Sequence, residues 1–316
     1  MEVVLEVTAP IFLLVLIGFL AVRFGLIASE ALSGLSRFVL YLALPALIFV
    51  NLSVMDIHEV FHPSYMLVYA LGGIGSFFIT VLIAAKMLRQ NWIRSGVMGV
   101  GATMSNSAFI GFPVLLQFFD EPMTQAFAMA LMVENIILLP VCLIFIETLV
   151  GHQKRSQKHH SVGLWRVVSK RIVGNPLLIA LSAGLVFSLF DLPMPSFAQQ
   201  SLEFLAAGAA PTALVVIGGA LVGVSIKGQF SPILLVAIGK LLIFPLLVVL
   251  LLNFTPNMAQ SLKWSVILFA AMPMFSTYPI ICGEYGERSF CASTLLFTTV
   301  LSFLTLSLLL RFMAVS

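Results

Sequence analysis

Ten apolar runs, each near the 20 residues that cross a bilayer as a helix, leave this chain few ways to fold. They fall near residues 9–27, 38–55, 65–86, 96–119, 125–149, 174–190, 200–224, 231–252, 264–283 and 290–311, parted by charged or Pro/Asn/Gly-rich breaks. In hydrocarbon every backbone N–H and C=O must find its partner within the protein, so such runs are expected as helices. Charged residues make up 9% of the chain, where a soluble protein carries about 25%. A water-facing surface cannot be built from so little charge, and nucleic-acid binding, disorder and a disulfide scaffold are excluded with it. The expected fold class is an all-α integral membrane protein of ten transmembrane helices.

Positive charge orients these spans, because Lys and Arg are retained on the cytoplasmic side. Arg23 and Arg37 flank the first connection, Lys86, Arg89 and Arg94 the third, and Lys154, Arg155, Lys158, Arg166, Lys170 and Arg171 the fifth. Lys227 and Arg288 follow on the seventh and ninth, so 13 of the 16 basic residues lie on odd-numbered connections. Odd connections are therefore expected in the cytoplasm and both termini outside, with Asp56, Glu59, Asp120, Glu121 and Asp191 on the outer face. Glu2 and Glu6 replace the basic residues of a cleavable signal, so the first run is expected to stay in the mature chain.

The stretch 151–171 is the one extended polar segment. Its His152, His159 and His160 raise metal binding, but a solvated basic cytoplasmic linker accounts for them. It parts a first five-span unit, 1–150, from a second, 172–316. Cys142, Cys282 and Cys291 have no paired spacing and read as small core residues. No metal or cofactor is expected.

One offset relates the two units. Adding 166 carries Pro10 onto Pro176, Pro45 onto Pro211 and Pro113 onto Pro279, and also Gly18 onto Gly184 and Gly73 onto Gly239. The same shift relates Phe24 to Phe190, Phe38 to Phe204, Phe109 to Phe275, Ala43 to Ala209 and Glu121 to Glu287, although apolar coincidences carry little weight. An odd number of spans per unit makes the second copy enter the membrane inverted. Inverted repeats are a mark of secondary transporters.

Each unit interrupts its fourth span, making the fourth and ninth of the chain irregular. The first interruption reads Asn106, Ser107, Ala108, Phe109, Ile110, Gly111, Phe112, Pro113; the second reads Met272, Pro273, Met274, Phe275, Ser276, Thr277, Tyr278, Pro279. Proline removes a backbone donor and clashes with the preceding turn, and Gly111 eases unwinding. Broken spans at mid-membrane are expected to line a cavity. A half-helix starting there offers unpaired N–H groups and a positive dipole end, which suits an anion. Asn106, Ser107, Ser276 and Thr277 are the expected side-chain donors and acceptors, with Gly111, Pro113 and Pro279 shaping the breaks. Plain proline kinks are the simpler alternative. Lys240, about nine residues into the eighth span, and Glu134 with Asn135 in the fifth are deep polar groups that either balance charge and couple an ion or make structural contacts. Glu134 is the nominee for a proton site.

At these residues the sequence resembles the auxin efflux carrier family, which includes plant PIN carriers and bacterial malate and malonate permeases. The elements are Leu44-Pro45-Ala46, Asn106 through Gly111 to Pro113, Asn175-Pro176, Ala271-Met272-Pro273 and Tyr285-Gly286, in order along the whole chain. The resemblance implies a fold similar to sodium/proton antiporters and bile-acid transporters, with spans one, two, six and seven as scaffold and the rest as a moving core. It also implies that Asn106 and the crossover prolines contact a small carboxylate. Ser276 and Thr277 stand where many relatives carry an asparagine, and the long central loop of the plant carriers is absent.

The expected function is thus alternating-access transport of a small organic anion through a bacterial inner membrane, with no enzyme activity. A homodimer through the scaffold helices is compatible with it. An anion channel is the rival reading. His58-Glu59-Val60-Phe61-His62 also fits H-E-x-x-H, a zinc protease motif when helical, but Pro63 follows at once and no third ligand is evident.

Overall fold

The computed structural model describes residues 2–54, 61–119, 123–154, 174–220, 222, 229–255 and 257–315. His58 and Glu59 of the H-E-x-x-H match, Lys227, and the linker from 155 to 171 lie outside them. The described residues are helical, with no strand beyond a single bridge pair. Each of the ten apolar runs is helical in whole or in part.

In chain order the helices are α1 (Glu2–Arg23), α2 (Ala31–Ser53), α3 (Pro63–Lys86), α4 (Trp92–Thr103), α5 (Ser107–Phe118) and α6 (residues 124–154). Then come α7 (Pro176–Leu189), α8 (Ser196–Ala220), α9 (Phe230–Leu252), α10 (Gln260–Ala271), α11 (Tyr278–Ile281, tightening to a 3₁₀ turn at Cys282–Tyr285) and α12 (Arg288–Val315). Six helices, α2, α3, α6, α8, α9 and α12, are long and apolar enough to cross a membrane. Shorter apolar helices include α5 and α7, and α4 and α10 end where the chain breaks.

Four turns widen from the α pattern to i→i+5 bonds, and each has the same cause. The N–H of Leu44 bonds the Val39 carbonyl, Phe112 bonds Ser107, Leu139 bonds Glu134 and Phe244 bonds Gly239. In every case a proline follows immediately: Pro45, Pro113, Pro140 and Pro245. Proline cannot donate and its ring crowds the carbonyl one turn back, so the helix relieves the clash by admitting one extra residue before it. Pro113, expected to break its span, thus reshapes a turn instead, while Pro279 opens the short α11. The chain actually parts upstream, at Met104–Asn106 and at 272–277.

Packing divides the helices. The α1 helix lies along the second half of α8, and α7 along the second half of α2. The α1–α8 crossing is so close that a Cβ on Gly218 would sit 1.8 Å from the Val15 carbonyl oxygen, and one on Gly18 2.1 Å from that of Val215. Small residues let helix backbones meet in this way where lipid offers no hydrophobic drive. The α3, α4, α6, α9 and α10 helices pack on one another around buried Tyr69, Phe77, Phe127, Phe244 and Phe269. Polar satisfaction follows the same grouping. Ser76 on α3 shares its one hydroxyl proton between the carbonyls of Ala102 and Gly239, both at 3.0 Å, and Tyr278 donates to Val97 at 2.9 Å.

Candidate functional site

The two interruptions meet. Ser105 and Met274 form an antiparallel bridge: Asn106 N–H donates to Pro273 O at 2.8 Å and Phe275 N–H to Met104 O at 3.3 Å. Two unwound strands buried in a helical protein leave backbone groups without helical partners, and here each satisfies part of the other. Asn106, 4% exposed, adds a side-chain tie, its amide donating to Ser276 Oγ at 3.0 Å. Its carbonyl oxygen accepts from Phe109 N–H at 3.3 Å, capping the start of α5. The next N–H groups to open that helix belong to Ser107 and Ala108, which have no partner within it.

These breaks line a cavity of about 280 Å³. Its walls carry Asn106, Ser107, Ser276 and Thr277, as expected from the sequence, together with Glu134 and Asn135 of α6. Gly111, Pro113, Pro279 and Lys240 do not line it. Gly111 packs against Phe269, leaving no room for a Cβ; Pro113 follows the widened turn within α5, and Pro279 is the second residue of α11. Sequence reasoning left Asn175 and Tyr41 out of the site, yet both face the cavity. Asn175 caps α7 through Leu177 N–H at 3.0 Å and donates to Asn135 Oδ1 at 2.9 Å, tying α7 to α6. The Asn-Pro pair, a cap followed by the residue best suited to the first helical turn, marks the start of α7 in the sequence but not its place at the cavity.

Glu134 is buried, 3% exposed, and its Oε1 accepts from the hydroxyls of Ser107 and of Tyr69, the latter at 2.7 Å. Tyr69 has one proton and spends it on Glu134, so the Ser105 hydroxyl, 3.0 Å away, must donate to Tyr69. Among the described residues no basic side chain reaches ion-pairing distance of Glu134. Lys240, fully buried, points elsewhere: its Nζ donates to the Ala270 carbonyl at 2.6 Å and lies 4.6 Å above the Phe244 ring. Ala270 belongs to the last turn of α10, so the cation sits at the negative end of that half-helix. The matching end of α4 receives only the neutral Ser76 hydroxyl, at Ala102.

Electrostatically the two breaks are unequal. The α5 helix runs twelve residues from Ser107, whereas α11 makes one turn before tightening. Lys240 offsets the negative end of α10, and the positive start of α5 faces the cavity. An acceptor-rich, negatively charged small molecule suits this arrangement. Among the described residues no cluster of His, Cys, Asp and Glu is fit for a metal.

A family model for membrane transport protein matches residues 3–310. The chain belongs to the membrane transport protein family. This is the auxin efflux carrier group that the sequence elements resemble. Within the family, a proposed malonate transporter of Rhizobium meliloti (strain 1021) is 27% identical over 304 residues, 94% of this chain and 92% of that protein. An uncharacterized transporter of Methanothermobacter thermautotrophicus is 27% identical over 316 residues, 96% of each. The lysosomal cholesterol signaling protein of Mus musculus matches at 27% over 245 residues, 74% of this chain but 28% of the mouse protein. This chain is accordingly a multi-pass membrane protein of a transport family.

Proposed function

We propose that this chain is a secondary transporter that carries a small carboxylate across the bilayer by alternating access, with its site where the fourth and ninth spans are broken. The observation that carries the reading is the cavity shared by both breaks, into which the first turn of α5 opens. Asn106, Ser107, Ser276 and Thr277 are its direct contacts to the anion. Gly111, Pro113 and Pro279 hold the shape of the breaks, Lys240 balances charge, and Asn135 and Glu134 form the wall. Malonate is the first candidate to test, given the Rhizobium relative.

Ten spans arranged as two inverted units, 1–150 and 172–316 joined by the linker, support alternating access. The order of elements recurs, from α1 to α6 and from α7 to α12, and α4 and α10 end in breaks at Thr103 and Ala271. Two halves of like construction give inward-open and outward-open forms of similar energy. We assign the protein to a bacterial inner membrane with both termini outside, with α1, α2, α7 and α8 as scaffold and as the surface for a homodimer.

Reconstitution tests the reading. Purified protein in proteoliposomes preloaded with unlabelled malonate should take up labelled malonate by counterflow, saturably and with trans-stimulation. Single-channel conductance would favour a channel instead, and absence of counterflow across a panel of mono- and dicarboxylates would overturn the carboxylate assignment.

A further inference from the structure

We infer that Glu134 is a proton-binding site and that the proton travels with the carboxylate, making this protein a proton/carboxylate symporter. The inference rests on the carboxylate reading above and adds its coupling ion.

Glu134 sits in the widened turn that Pro140 imposes on α6, and it lines the same cavity as Asn106 and Ser276. Its Oε1 is taken by Ser107 and Tyr69, while Oε2 makes no hydrogen bond to any described residue. A carboxyl with one oxygen held and the other free beside a cavity is placed to gain and lose a proton there. The groups around it are known from every side. The α3 helix offers Tyr65 and Tyr69, both phenols; the first break offers Ser105 and Ser107; the second offers Ser276 and Thr277; α9 offers Lys240, committed to Ala270. None is a cation in contact with Glu134. Lys240 acts on Glu134 through space without bonding it, so a second carboxylate entering this buried cavity would set two negative charges against that one cation, and two carboxylates sharing such a site do not both stay ionised. A proton on Oε2 removes the conflict and turns the acid into a donor toward the incoming anion.

Linkage then makes the coupling reciprocal: a bound proton favours the anion, and a bound anion favours the proton to the same degree. Ser107 ties the acid to the first turn of α5, so both ligands bear on one element. No bond is made or broken apart from the O–H. One proton and one carboxylate enter from one face and leave at the other, which removes one negative charge from the transported load. Uptake into a negative-inside cell otherwise costs a monoanion about 2.3 kcal/mol per 100 mV.

The test uses the intact protein in proteoliposomes that contain a trapped pH dye, with the membrane potential clamped by potassium and valinomycin. An inward gradient of labelled malonate should acidify the lumen, with about one proton entering per malonate above the leak of empty liposomes. Malonate flux without acidification would overturn the proton site while leaving the carboxylate reading intact. Absence of flux for malonate and for every other carboxylate of the panel would overturn both. In Glu134→Gln the proton-to-malonate ratio should fall at least tenfold whatever the residual rate, and Glu134→Asp should restore part of it. An unchanged ratio in Glu134→Gln would place the proton elsewhere and refute the assignment. Should Glu134→Gln not fold, Tyr69→Phe, which removes one of the two bonds on Oε1, takes its place: it should shift the pH dependence of malonate flux, and an unshifted profile would refute the assignment.

Discussion

Asn106 and Ser276, one from each interrupted span, are joined by an amide-to-hydroxyl bond of 3.0 Å at the wall of the cavity. The same asparagine caps α5 and receives the crossing strand through its backbone. Replacing it with alanine removes a cap and a cavity-facing donor together. Asn106→Ala should lower malonate counterflow at least tenfold while leaving membrane insertion intact, as read by proteoliposome uptake beside the yield of monodisperse protein. Uptake equal to wild type would remove Asn106 from the site.

Lys240 contributes a charge rather than a contact, because it bonds the end of α10 and does not reach the cavity. A charge at a half-helix terminus in favourable buried geometry is worth up to about 2 kcal/mol. Lys240→Met keeps the stem's volume and loses the charge. It should lower the melting temperature by removing the contact with Ala270 and also weaken malonate binding, the latter measured by calorimetry on protein that remains monodisperse. An unaltered affinity would make Lys240 a packing residue.

The α1–α8 contact should be intolerant of a single methyl. Gly218→Ala would press a Cβ into the Val15 backbone, and overpacking of this kind costs about 1–3 kcal/mol. A melting temperature several degrees lower in detergent is expected. Gly34→Ala is the control, since a Cβ there meets nothing within 4 Å. It should be neutral or slightly stabilising.

Orientation is open to direct labelling. Arg89, between α3 and α4, and Asn257, between α9 and α10, are both exposed, whereas Cys142, Cys282 and Cys291 are buried. With odd connections in the cytoplasm, Asn257→Cys should react with an impermeant maleimide on intact cells, and Arg89→Cys only after permeabilisation. The reverse pattern would invert the topology.

Much of this architecture is legible in the chain because its causes are local. A run of 20 apolar residues becomes a helix wherever it lies, since its backbone bonds close within the run. The prolines at 45, 113, 140 and 245 likewise act on the turn just before them, which accounts for the widened turns carrying Ser107, Glu134 and Lys240, although Pro10 lies within α1 without widening it. The interruptions were expected over Asn106–Pro113 and Met272–Pro279, and the chain parts at the upstream end of those stretches. Where a helix ends depends on which partner takes up its free backbone groups, and that partner is the other interruption, 169 residues away at Ser105 and Met274.

By itself, then, the sequence determined the helices, the repeat offset and the residues flanking the breaks. Only the tertiary structure decided what those residues meet. It turned Lys240 toward Ala270 and away from the cavity, brought Tyr69 and Ser107 together on Glu134, and added Asn175 and Tyr41 to the walls. The reason is distance along the chain. Secondary structure follows from neighbours within a few residues, whereas a hydrogen bond between α3 and α6, or α6 and α7, is set by how whole helices pack.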